Sequence, residues 1–434
     1  MRKTLCSVLA AVMLFALVTA FIPATIAEEK SGECGTDSSF VYWSLDGSGK
    51  LTISGKGRMR NFAFDDPAPW GKDIISVVIE EGVTAVGDRA FLECMSLTEA
   101  KLPESLVEIG SDVFDWCSAL KEIDLPDGLT KIGDGAFYGC QSLTELNLPT
   151  GLTEIPYEAF GFCTGLKELV LPEGIVTIGI GAFEQCKGLT SVTFPESLKT
   201  ICFNAFSGCD LLESIVFPDG LEELSSQAFH NTKLTSVVLP KGLTRISGNP
   251  FSGAMLKSIT VSEENTALET AFGALYGKED HRLILLPPST PRFRYKAPEG
   301  TEIIGDGALY DCSDLREIIL PDSVTEIGES AFFSCYNLKE MTLPDGLQKI
   351  GGWAFHNCSR LESLILPAGI TEIGENAFGD CDSLTLIVTK GSVAEQYCID
   401  NGLKFQLKTS KDSPASIGGG GIAPKGCLIP PYMV

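Results

Sequence analysis

What most constrains this chain is a period. Phe91, Phe114, Phe137, Phe160, Phe183, Phe206 and Phe229 follow one another at intervals of 23 residues, and Phe251 comes after 22. Leu309, Phe332, Phe355 and Phe378 resume the interval of 23. Ala precedes nearly all of these positions; Val113 and Pro250 are the exceptions. Cys stands three residues after most of them, as in Cys94, Cys117, Cys140, Cys163, Cys186, Cys209, Cys312, Cys335, Cys358 and Cys381. A fixed period of this length is the mark of a stacked-coil architecture.

One unit, Leu120 to Ser142, shows how a coil is written. Ile123 and Leu125 alternate with Glu122 and Asp124, the two-residue period of a strand. Pro126 cannot donate to a ladder and ends it, and Asp127-Gly128 turns the chain. Leu129 and Ile132 point back inward, and Ala136, Phe137 and Cys140 close the coil at a corner. A single coil buries too little to offset the ordering of its backbone, so the coils must stack, and the stack is the fold. The expected class is a mainly β solenoid, a right-handed stack of coils with short strands and turns.

The unit Leu-Pro-x-Gly-[Leu/Ile]-Thr-x-Ile-Gly-x-x-Ala-Phe-x-x-Cys-x-x-Leu, as in Leu125 to Leu143 and Leu366 to Leu384, resembles the BspA-like leucine-rich repeat. Trp43 to Asp46, Leu51 to Gly55 and Pro69-Trp70 are similar to that family's N-terminal cap, and Val393 to Tyr397 with Asn401 to Leu403 to its C-terminal end. The resemblance implies a surface protein of the kind found on oral and gut bacteria and in some protozoa. Some members are adhesins for host matrix proteins or other microbes.

The expected division is a signal peptide over 1–27, an N-terminal cap over 28–72, repeats over 73–258, an insert over 259–298, repeats over 299–388, a C-terminal cap over 389–407 and a flexible tail over 408–434. Arg2 and Lys3, the apolar run Leu5 to Ala20, and small residues Thr25 and Ala27 form the secretory pattern, which places the chain outside the cell or on its surface. The spacing of 58 from Phe251 to Leu309 is not a multiple of 23. A hairpin insert explains it, with strand pieces at Phe272 to Tyr276, Arg282 to Leu286 and Phe293 to Tyr295.

A net charge of −24 argues against nucleic acid as a partner and against an anionic membrane surface. No catalytic constellation, phosphate loop or close-paired metal motif appears, so no cofactor and no enzymatic activity are expected. The ladder cysteines could pair across coils about 4.8 Å apart, or fill a buried corner as free thiols. Thr232 and Ala254 replace Cys in two coils, which favours packing. Cys34, Cys202, Cys398 and Cys427 lie off the ladder. His230 and His356 follow the repeat Phe, at a slot whose variety of residues reads as solvent-facing.

The outer strand face is the candidate binding surface. One stripe runs Ser76, Glu99, Glu122, Glu145, Glu168, Ser191, Ser214, Ser236; its neighbour runs Val78, Lys101, Asp124, Asn147, Val170, Thr193, Val216, Val238. Val170, Val216 and Val238, with Glu145 and Glu168 beside them, are expected to contact an extracellular protein or glycan partner, since exposed apolar area marks interfaces. Two other readings stay open: a structural surface component without a dedicated ligand, and an enzyme built on the insert.

Overall fold

The computed structural model describes residues 29–409, so the targeting segment 1–27, Cys427 and the tail from 410 onward lie outside the described residues. Each coil has three sides. The first carries a strand such as Glu168–Val170, the second a two-residue strand such as Thr177–Ile178, and the third the tight Ala182 to Cys186 corner. Pairing between coils is parallel and in register at the repeat interval: Leu169 opposes Val192, and Ile178 opposes Ile201. About sixteen turns result, more than the dozen copies legible in the sequence.

The third side is laddered as well. The amide of most repeat phenylalanines donates to the carbonyl of the residue before the next one, as from Phe114 to Ala136 (2.7 Å) and Phe183 to Ala205 (2.8 Å), whereas that of Phe251 donates to Asn249 Oδ1 (2.9 Å). Making that corner takes two left-handed residues per coil. In one unit these are Gly135 (φ 61°) and Gly139 (φ 69°); elsewhere Asp112 and Trp116 accept the strain. Glycine adopts this conformation without the Cβ clash that costs other residues about 1–2 kcal/mol.

Inside the corners the repeat phenylalanines form a column. Phe137 and Phe160 stack 5.2 Å apart at 3°, and Phe183 and Phe206 5.3 Å apart at 9°. The cysteines finish the corner. Cys163 Sγ lies 3.3 Å from the Phe137 carbonyl of the preceding coil, and Cys186 Sγ 3.2 Å from that of Phe160. The thiols act as donors to carbonyls, and burial pushes those of Cys163 and Cys186 above their ordinary range, Cys186 to about 12. Thr232 substitutes its hydroxyl, bonded 3.0 Å to Phe229 O within its own coil. The described cysteines carry free thiols.

The first side is less continuous than a uniform strand stripe implies. Ile123 and Asn147 contribute single bridges, and Ser214 to Phe217 forms no strand. A physical reason lies beneath that gap. Phe194 and Phe217 take the corner that most coils give to Leu, and their rings stack 6.1 Å apart, wider than the ~4.8 Å spacing of paired strands.

The interruption between Phe251 and Leu309 holds a disguised coil. Leu286 lies 23 residues before Leu309, its amide donates to Ala308 O (2.8 Å), and Cys312 Sγ lies 3.7 Å from its carbonyl. These are the contacts a repeat Phe makes. From Phe251 to Leu286 the interval is 35, twelve more than a regular coil. The added residues build an antiparallel meander of Leu268–Ala271, Ala274–Gly277 and Arg282–Leu285. Phe272, expected in a strand, sits with Gly273 in the turn at positive φ and is exposed. Arg294–Lys296 belongs to the first side, paired with Glu317–Ile319. The buried apolar residues divide into two clusters here.

Both ends of the column are covered. Strands β1 (Lys30–Glu33), β2 (Phe40–Leu45) and β3 (Lys50–Arg58) form an antiparallel meander, and β3 pairs parallel with Ser76–Ile79. Trp70 lies 5.9 Å from Phe91, and its indole donates to Ala90 O (2.9 Å). At the other end, the helix Val393–Asp400, capped by Ser392, sets Tyr397 edge-on to Phe378 at 6.1 Å.

Candidate binding faces

Alternation along the first side fixes which side chains meet solvent. Leu169, Leu171 and Phe217 are buried, whereas Val170 is 63% exposed, Val216 83% and Val238 65%. Ile215 is half-buried. Glu145 and Glu168 are exposed and, with Asn147, Lys167, Val170 and Pro172, line a shallow depression of about 700 Å³. Val216 and Val238 lie two and three coils further along. The structure thus brings Glu145, Glu168 and Val170 together and sets the other two valines on the same face beyond Thr193. Val78, Ile319 and Ile365, at equivalent positions, are only half-exposed.

Around these valines, Ser191, Thr193, Ser214, Val216, Ser236, Val238, Ser258 and Thr260 point outward over four successive coils without a charge in either central stripe. Glu122, Glu145 and Glu168 flank this panel on one side, and Arg294 and Lys296 on the other.

A second exposed line was not anticipated. Tyr157, Ile180 and Phe203 stand three residues before successive repeat phenylalanines and are 47%, 45% and 41% exposed. Other coils place Asp88, Ser111 or Asp134 there. The 23-residue interval among three bulky side chains was the available signal. Beside this line, Trp116, Tyr138 and Phe162 form a half-buried aromatic run, with Tyr138 and Phe162 5.1 Å apart.

The slot after the repeat Phe is not open to solvent in the histidine coils. His230 is half-buried, its Nδ1 lies 2.9 Å from Ser252 Oγ, and burial lowers its pKa. His356 stacks on Phe333 at 5.0 Å, with Nε2 3.2 Å from Asp380. At the same slot Asp115 is pushed to about 7, by burial first and then by Asp112, Glu93 and Glu158. Its Oδ1 is buried without a hydrogen-bond partner. His281 lies in the insert beside the Arg282–Asp280 ion pair (3.1 Å). Among the described residues no three His, Cys, Asp or Glu side chains form a group able to hold a metal ion, and no helix is long and apolar enough to cross a membrane.

No protein of curated function matches the sequence. Among solved structures, the chain is similar to a leucine-rich repeat protein from Bacteroides ovatus, at 28% identity over 82% of this chain and 96% of that one, with a TM-score of 0.53. It is also similar in fold to a leucine-rich cell surface protein from Faecalibacterium prausnitzii, at 24% identity over 91% of this chain and 100% of that one, TM-score 0.56. Six copies of the BspA type leucine-rich repeat region match residues 69–179, 153–274 and 294–403, and the chain therefore belongs to the BspA-type leucine-rich repeat family.

Proposed function

We propose that this protein is a secreted or surface-displayed binding protein, adhesin-like, that recognises an extracellular protein or glycan through the exposed face of its first side. The observation that carries this reading is the uncharged panel around Val216 and Val238, with the exposed Val170 at its edge, on a chain of net charge −24. Charge is what such a surface has in excess, and its absence over four coils with exposed valines is what an interface core requires. Solenoids present such faces as extended binding surfaces. Glu145 and Glu168 at the edge steer a partner with basic character, and the valines set its residence time. The secretory pattern at residues 1–27 and the cell-surface description of the Faecalibacterium protein support an extracellular site of action.

The test replaces Val170, Val216 and Val238 together with Ser. Immobilised matrix proteins and secreted glycoproteins serve as bait, and binding is read by surface plasmon resonance. Covering each valine is worth roughly 1.5 kcal/mol, so affinity should fall at least about tenfold with the melting curve unchanged. Full affinity in the folded variant removes this face from the reading. Absence of binding by the wild type across all baits leaves a structural surface component in its place.

A further inference from the structure

A second site lies away from the strand face, where the repeat is broken. The Phe251 coil is one residue short, and the Leu286 coil supplies no ordinary corner, because the chain runs from Leu286 into Pro287 and Pro288. The corner of the Phe251 coil therefore meets that of the Leu309 coil. The buried Asn249 amide donates to Gly307 O at 2.8 Å, and His230 lies edge-on to Tyr310 at 6.1 Å. A groove of about 350 Å³ opens there, within the roughly 300–1,000 Å³ of small-molecule sites. Phe203, Ser226, Gln227, Tyr310, Glu329 and Ser330 line it.

The lining has a consistent chemistry. Phe203, the last residue of the exposed Tyr157–Ile180–Phe203 line, offers an apolar face at the rim. Tyr310 is held by stacking on Phe333 at 5.0 Å, so its ring is fixed. Ser226 Oγ, the Gln227 amide, the Tyr310 hydroxyl, the Glu329 carboxylate and Ser330 Oγ make no hydrogen bonds among the described residues. By contrast, Asn249 and Ser252 are spent on their neighbours. Asp306 also lines the groove, one of its oxygens accepting from the Glu329 amide at 2.8 Å.

We infer that this groove binds a neutral saccharide chain, with one pyranose ring against Phe203 and its hydroxyls on Gln227, Glu329, Tyr310 and Ser330. A sugar ring presents a C–H face that packs on aromatic carbon and a rim of hydroxyls that both donate and accept. The free amide, carboxylate and hydroxyls supply both kinds of partner. Asp306 and Glu329 repel uronic or sialic acids. The line back through Ile180 and Tyr157 extends the contact at about one coil spacing, ~4.8 Å, per step, which suits a chain better than a single sugar. This site is independent of the strand-face reading.

Affinity electrophoresis through gels containing neutral polysaccharides (a glucan, a xylan, a mannan) and one polyuronate tests it. The wild type should be retarded by at least one neutral polymer and not by the polyuronate. Phe203→Ala and Gln227→Ala should each weaken retardation roughly tenfold, as expected for the loss of one aromatic or hydrogen-bonding contact. Phe203 is exposed, so its variant should melt like the wild type. The Val170, Val216 and Val238 triple Ser variant should keep full retardation. Absence of retardation in every gel overturns the inference. So does retardation that survives Phe203→Ala but is lost in the valine variant. So does binding abolished by moderate salt and displaced by oligolysine, which would assign the groove to a cationic peptide.

Discussion

Replacing Phe183 by Ala tests the architecture at its most repetitive point. Phe183 is fully buried and has ring neighbours on both sides, Phe160 at 5.5 Å and Phe206 at 5.3 Å, both nearly parallel. Truncating a buried Phe costs about 3–5 kcal/mol through lost burial and the cavity left behind. Two stacking partners, each worth about 0.5–1.5 kcal/mol beyond area, put this site in the upper part of that range. The backbone bond to Ala205 O survives, so the loss belongs to the side chain. Because each coil contacts only its neighbours, the damage should be local before it is global. Hydrogen exchange should show faster opening in the coils of Phe160, Phe183 and Phe206 than in that of Phe355, and the urea midpoint should fall. Phe203→Ala, at an exposed position, provides the control. An unchanged midpoint with Phe183→Ala would mean that the repeat ring faces outward, and the coil geometry argued above would be wrong.

Asp115 has its pKa raised to about 7, well above the ordinary carboxylate value of about 3.9, so the folded state binds its proton more tightly than the unfolded state. Its contribution to stability should therefore fall as pH rises from about 4 to 7. Asp115→Asn should raise the melting temperature at pH 8 and change it little at pH 4; an equal shift at both would deny the buried, crowded carboxylate. Native-state alkylation followed by peptide mass spectrometry should label Cys202 and Cys381, both half-exposed, ahead of the buried Cys140, Cys163 and Cys186. Equal labelling of all five would refute the thiol-to-carbonyl corner.

How far the chain could be read from its letters depended on what the period carries. The stack, the inward Phe and the outward Val170, Val216 and Val238 follow from counting, because a coil that repeats in sequence repeats in space. Leu286 escaped notice because it lacks both the preceding Ala and the following Cys, and only its bonds to Ala308 and Cys312 reveal its place. The gap at Ser214 to Phe217 depends on ring thickness at Phe194 and Phe217, which a pattern of apolar letters does not record. The crowding of Asp115 arises from Glu93 and Glu158 in other coils, and His230 and His356 each meet a ring of another coil, Tyr310 edge-on and Phe333 face to face. The groove beside Phe203 exists because one coil lost a residue and the next gained twelve, a mismatch that sequence spacing flags but cannot shape.

The corner thiols bonded to the carbonyl one coil back give most interfaces between coils the same chemistry, with Thr232 and Ala254 the exceptions. A stretch of gene encoding one coil can then be copied or lost by unequal recombination without creating a junction the protein has not already solved. Each such event changes the reach of the molecule by about 4.8 Å and leaves both ends intact. For a solenoid of this kind, length is thus a heritable quantity adjustable in even steps. Among the described residues, the break after Phe251, with its added meander, is where the longest departure from the 23-residue interval is bridged by a different junction.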